Sequence, residues 1–187
     1  MAVPVLAASP WSSLDADGKR RRLVTAAESV FAREGLDAPV PAIAAEAGAG
    51  VGSVYRAFAS KEELVAAVAA ERLHWFIGEA GSALAASDPG EAFESLLRAV
   101  VERDARDRVL ASALGTAFDR PDVAPIRARA VEAGARALAR AVEAGAFRAD
   151  LTLDDISLLL TGVRAAERER PGAGLRLLEL ALGGLRN

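Results

Sequence analysis

The sequence predicts an all-α chain, and three observations carry that expectation. Alanine and leucine dominate the composition, and both are strong helix formers. No run shows the sustained alternation of β-branched residues that a strand requires. Between Ile43 and Lys61, the stretch IAAEAGAGVGSVYRAFASK reads as helix, glycine turn, short second helix and the start of a third. About nine helices are expected. A disordered arm (1–16) precedes a three-helix unit (17–62), and a larger helical body (63–187) follows.

The arm is mildly apolar. Ala2–Pro10 lacks a basic lead and is broken by Pro4 and Pro10, so it reads as neither a signal peptide nor a membrane span. A cytoplasmic protein is the expectation. The first helix runs from about Asp17 to Glu34, with Leu23, Ala26, Ala27, Val30 and Phe31 as its buried stripe. Lys19, Arg20, Arg21 and Arg22 crowd its first turn, where the helix dipole is already positive. Two readings stand: a nearby DNA phosphate, with Arg21 as the contact, or a solvated basic turn paired with Asp15 and Asp17.

Gly35 ends this helix, and the second begins near Pro41, a residue suited to a first helical turn. Gly48 stands where a helix needs a left-handed stop. Val51, Val54, Tyr55 and Phe58 then mark one face of a short third helix. Two short helices across a glycine turn, over about 39–58, match a helix-turn-helix, whose second helix enters the DNA major groove. Ser60 is a good N-cap, and Glu63 three residues later completes a capping box for the fourth helix, which reaches about Ala86.

Ser87–Gly90 breaks the chain before a fifth helix that buries Phe93, Leu96, Leu97, Val100 and Val101. A sixth carries Val109, Leu110, Ala113, Leu114 and Ala117. A long seventh, from about Asp122 to Ala144, closes at Gly145, with Phe147 folding back as a plug. In the last two helices Leu153, Ile156, Leu160 and Val163, then Leu175, Leu178, Leu182 and Leu185, repeat at 3-4-3 or similar spacing. Leucines at 158, 159, 177 and 180 widen both apolar faces. These eight periodic residues are the expected homodimer interface, a four-helix contact across a two-fold axis; a thick intrachain core is the other reading.

The net charge of −3 says little, but its distribution is uneven. Residues 19–61 carry seven Lys/Arg against four Asp/Glu, while 62–187 sum to −4. A basic head on an acidic body suits a protein that meets phosphates at one end. With no cysteine there is neither disulfide nor thiolate chemistry. His74 is the single histidine, so no metal site, catalytic triad or cofactor is expected. The glycines at 48, 50 and 52 follow a helix rather than a strand, with no lysine directly after them, so they are not a nucleotide loop. A small helical enzyme is a distant alternative.

Ala26–Ala27, Phe31–Gly35, Ala44–Gly48, Gly52–Tyr55, Phe58 and Ser60–Leu64 together resemble the DNA-binding domain of the TetR/AcrR transcriptional regulators, over roughly 45 residues in register. The resemblance implies a homodimer, a small-molecule pocket in the C-terminal part and repression relieved by its ligand. It places contacts with operator DNA at Val51, Gly52, Ser53, Tyr55 and Arg56, and a phosphate contact at Lys61. Tyr55 has a second reading, as packing for the domain. Gly50 and Ala57 stand where the family often has polar residues, so the reading head is sparse and leans partly on DNA shape. Where the family builds its pocket, His74, Trp75, Phe93, Leu97, Leu114 and Phe118 are the candidate walls, which suits a mainly apolar effector; His74 also reads as an ordinary half-buried histidine. The runner-up is a regulator of the same fold without a small-molecule inducer, an activator or one controlled by a protein partner.

Overall fold

The computed structural model describes residues 10–107, 110 and 114–186. Among them are eight α-helices: α1 (Ala16–Glu34), α2 (Val40–Ala47), α3 (Val51–Ala57), α4 (Lys61–Ala85), α5 (Pro89–Arg106), α6 (Ala124–Glu143), α7 (Leu153–Glu169) and α8 (Ala173–Leu185). Short 3-10 turns occupy Trp11–Ser13 and Gly115–Asp119. No strand occurs among the described residues; Phe147 and Arg186 form one isolated antiparallel bridge.

The head forms because α1, α2 and α3 each bury one stripe. Leu23, Ala27 and Phe31 from α1 meet Ile43 and Ala47 from α2, Val54 from α3 and Phe58 just beyond it. Arg33 joins α1 to α2 by donating to Ser29 Oγ and to Glu46. Gly48 has φ 67° and ψ 34°, and its N–H and that of Ala49 return to the Ala45 and Ala44 carbonyls. That pattern closes α2 and turns the chain sharply into α3.

The expected disorder does not extend through residue 16. Trp11 sits half-buried against the head core, Ser13 Oγ donates to the Pro10 carbonyl, and Asp15 caps α1 by accepting from the Gly18 N–H at 2.7 Å. The rest of the arm, residues 1–9, lies outside the described residues.

α4 runs through both cores. Leu64, Val68 and Ala69 belong to the head core, Ala80 and Ala83 to the body core. Its start is capped by Ser60 Oγ, which accepts from the Glu63 N–H at 3.2 Å. The Glu63 carboxylate reaches back to the Ala59 N–H rather than to Ser60. At the other end Arg140 of α6 donates to the Ala83 and Ala86 carbonyls at 3.1 and 2.7 Å, satisfying groups that the last helical turn leaves unpaired.

The sixth expected helix falls partly outside the described residues, at Val109 and Ala113. Leu110 and Leu114 are fully buried, with Ala117 beside them, in the head core rather than in the body. In the body, Phe147 does fold back after Gly145 (φ 75°) and meets the Phe93 ring edge-on at 5.6 Å.

Four of the eight residues expected at the dimer interface lie in an intrachain seam of α7 and α8. Ile156, Val163, Leu178 and Leu182 are at most 4% exposed, packed against one another and against α5. Leu153, Leu160, Leu175 and Leu185 are half-buried against the same core. Buried Glu167 holds the turn between the two helices, its carboxylate accepting from the Gly172 and Gly174 N–H groups. The large side chains left outside are Leu158, 71% exposed, and Leu180, 60% exposed.

Candidate nucleic-acid interface and effector cavity

α3 has one face in the head and one face out. Val54 is buried, whereas Val51, Gly52, Tyr55 and Arg56 are exposed, the set that falls on one side of a helix at i, i+1, i+4 and i+5. Tyr55 is 56% exposed. Ser53 is half-buried, and its Oγ accepts from Arg56 Nη2 at 2.9 Å. A Cβ on Gly50 would touch nothing, and one on Gly52 only the Arg56 guanidinium at 3.9 Å, so a flat surface can approach the backbone here.

The basic turn of α1 divides by direction. Arg20 faces inward. It donates to the Ala57 carbonyl at the end of α3 at 2.8 Å, covers the Phe58 ring at 4.2 Å, and lies 4.0 Å from Glu63. Arg21 is exposed on the next position round the helix. Lys61 stands half-buried at the first position of α4.

The body contains an apolar cavity of about 250 Å³ between α4, α5, α6 and α7, with Phe76, Phe93, Leu97, Val100, Phe118 and Leu160 in its wall. Of the expected wall residues, Phe93, Leu97 and Phe118 are there. Leu114 is not, because it packs in the head. His74 is exposed and faces a groove between α1 and α4 beside Arg20 and Arg21. Trp75 turns away too, lying half-buried with the Arg103 guanidinium over its ring at 4.5 Å. Two residues were missed: Arg127 and Arg164 reach the cavity rim. Arg164 was legible in principle, since it follows Ser157 and Leu160 by seven and four residues on one face of α7.

Between head and body lies a cluster of alternating charge. Arg72 of α4 is 8% exposed and lies 3.8 Å from Glu28 of α1, 3.7 Å from Asp104 and 3.4 Å from Asp107. None of these contacts is a hydrogen bond, so Arg72 Nη1 and Nη2 are buried without one. Burial pushes the Arg72 pKa down, and Glu28 opposes that. Arg103 donates to Glu28 at 2.7 Å, and Arg164 Nε to Asp104 at 2.7 Å. The cavity rim and the first helix of the head thus belong to one electrostatic group.

These features can be set beside known proteins. The family model described as "Bacterial regulatory proteins, tetR family" matches residues 23–68, and "Transcriptional regulator SbtR-like, C-terminal domain" matches residues 88–187. A TetR transcription regulatory protein from Mycobacterium vanbaalenii is 34% identical, with a TM-score of 0.72 over 92% of this chain and 98% of that one. A TetR transcriptional regulator from Streptomyces coelicolor is 30% identical, with a TM-score of 0.72 over 89% and 98%. The ketosteroid transcriptional regulator of Mycobacterium tuberculosis is 27% identical, with a TM-score of 0.60 over 90% and 95%. No curated protein sequence matches the chain. Helix-turn-helix head, helical body and both family matches agree: the chain belongs to the TetR family of DNA-binding transcriptional regulators, and is not an enzyme.

Proposed function

We propose that the protein is a cytoplasmic homodimeric repressor, that its paired α3 helices read an operator, and that a small, mainly apolar ligand in the body releases it. The observation that carries this reading is the outward face of α3, where Val51, Gly52, Tyr55 and Arg56 stand clear of the core. Arg56 is long enough to reach a guanine edge or a phosphate, and it can leave Ser53 to do so. Ser53 then has its hydroxyl for a base edge or phosphate. Tyr55 suits a phosphate, Val51 a thymine methyl, and Gly52 close backbone approach. Arg21 and Lys61 flank this face as phosphate contacts, which position the head without reading sequence.

For the dimer, exposed leucines join the half-buried Leu153, Leu160, Leu175 and Leu185 of the expected interface. Leu158 on α7 and Leu180 on α8 offer apolar area beside Gly162, Gly183 and Gly184, where a second copy can approach closely. Two heads brought to one side of a duplex would meet successive major grooves about 34–36 Å apart. The cavity supports the ligand part: a concave, mostly apolar wall with few polar groups is the usual form of a small-molecule site.

Gel retardation with DNA from upstream of the protein's own coding region tests the reading. The full chain should retard that fragment in the presence of excess unrelated DNA, and the double variant Tyr55→Ala, Arg56→Ala should not, while keeping its helical circular dichroism. Equal retardation of unrelated DNA, or unaltered binding by the double variant, would remove α3 as the reading element.

A further inference from the structure

The cavity has an apolar wall with two arginines at its rim, each paired with an aspartate. Among the described residues its polar lining consists of Ser157, Arg127 and Arg164, without a carboxylate. Ser157 Oγ is already committed to the Leu153 carbonyl at 2.9 Å. Arg127 pairs with Asp119 and Arg164 with Asp104, and both guanidinium groups remain about half exposed, within reach of an occupant.

We propose that the effector is a small organic monoanion: an alkyl or aryl body among Phe76, Phe93, Leu97 and Leu160, with its carboxylate held at the rim by Arg164. This rests on reading the cavity as the effector site, and names the class of molecule it takes. A neutral apolar occupant would leave the Arg164–Asp104 pair in place. A carboxylate competes with Asp104 for the same guanidinium through charge-assisted hydrogen bonds.

The surrounding charges show where Asp104 would go. Among the described residues, the paired charges Arg72, Arg103 and Arg164 match Glu28, Asp104 and Asp107 in number, so a fourth carboxylate at Arg164 adds one negative charge to them. Arg72 lies 3.7 Å from Asp104 with buried donors that lack hydrogen bonds. Asp104 set free from Arg164 closes on Arg72. Arg72 is thereby drawn from Glu28 on α1, the helix whose Arg20 holds the end of α3. The ligand's charge is in this way reported to the head.

Calorimetric titration of the full chain with octanoate and octan-1-ol tests the assignment. The two have the same chain length, and the cavity offers about 250 Å³, the room of roughly eight water molecules. Octanoate should bind about ten-fold or more tightly than the alcohol, the scale of hydrogen bonds to a charged group. Arg164→Gln should bring the two within about two-fold without weakening the alcohol, and Arg164→Lys should restore part of the difference. Equal binding of acid and alcohol, no binding of either at millimolar concentration, or an undiminished preference in Arg164→Gln would overturn the proposal. Gel retardation separates it from the broader reading. If the alcohol alone binds and releases DNA, the anion assignment falls and ligand-released repression stands. If octanoate binds through Arg164 and DNA retention never changes, the anion site stands and ligand-released repression falls.

Discussion

Replacing Arg20 by alanine should loosen the reading head. Arg20 makes one charged hydrogen bond to the Ala57 carbonyl and one cation–π contact with Phe58. Its pair with Glu63, at 4.0 Å and with side chains 46% and 38% exposed, adds little. A hydrogen bond to a charged donor contributes about 1.5 kcal/mol at the low end suited to so exposed a group. The ring contact adds about 0.5 kcal/mol. The helix-end benefit of a cation overlaps the first of these and is not counted twice. The expected loss is therefore about 1.5–2 kcal/mol, or a Tm lowered by roughly 3–8 °C for a chain of this size. Thermal melts must compare wild type and variant at one protein concentration, because association shifts Tm. Amide exchange should localise the effect, with α3 exchanging faster and α8 unchanged. Arg21→Ala is the matched control, expected within about 0.5 kcal/mol of wild type as an exposed substitution. An Arg20→Ala variant as stable as wild type, or an Arg21→Ala variant equally destabilised, would refute the division of the basic turn into a holding and a facing arginine.

Further measurements address other parts of the molecule. Lys61→Ala should weaken binding to all DNA sequences alike and lower the salt slope by about one unit, read from titrations at several salt concentrations. Leu158→Glu with Leu180→Glu should shift the protein toward monomer in sedimentation; an intact dimer would place the interface elsewhere. Gly90→Ala should cost about 1–3 kcal/mol in urea unfolding, because its Cβ would stand 2.5 Å from the Ala146 Cβ. Glu94 is buried, and hydrogen bonds from Arg186, at 2.6 Å each, hold its carboxyl below the ordinary value. In that window the unfolded chain binds more protons, so stability rises with pH. The Glu94 contribution should be complete above the ordinary carboxylate value of about 4.3 and fade as pH falls below it toward the folded value. Glu94→Gln should flatten that part of the stability profile relative to wild type.

What the sequence disclosed depended on whether the signal was local. Gly48 ends α2 in the left-handed conformation because a tight helix stop needs it, and Ser60 caps α4, so both were readable from a few neighbours. The outward residues of α3 come from the resemblance; the short period groups Val51 and Tyr55 with Val54 and Phe58, and the structure buries only the latter two. Periodicity shows which side of a helix is apolar, but not what covers it. Hence Ile156, Val163, Leu178 and Leu182 were assigned to a partner when the chain's own α5 lies against them. Leu114 was given to the pocket by the resemblance, whereas it packs in the head core. Trp11 carried no period at all, standing alone among Pro10 and two serines, and only tertiary contact orders it. Lys19–Arg22 look equivalent as a run of letters, but about 100° of rotation per residue turns Arg20 onto Phe58 and leaves Arg21 outside. The charged cluster at Arg72 joins residues of four helices and left no local trace.

The uninterrupted course of α4 through both cores has a mechanical consequence. Its 25 residues span about 37 Å at the standard rise. A tilt of only about 5° about the end nearest Arg140 would carry Lys61 sideways by about 3 Å. That displacement is close to one base-pair step of about 3.4 Å. A stiff rod pinned at one end turns an adjustment smaller than a methyl group beside its pivot into a full step of mismatch at the groove, so nothing in the head has to melt for the grip to be lost.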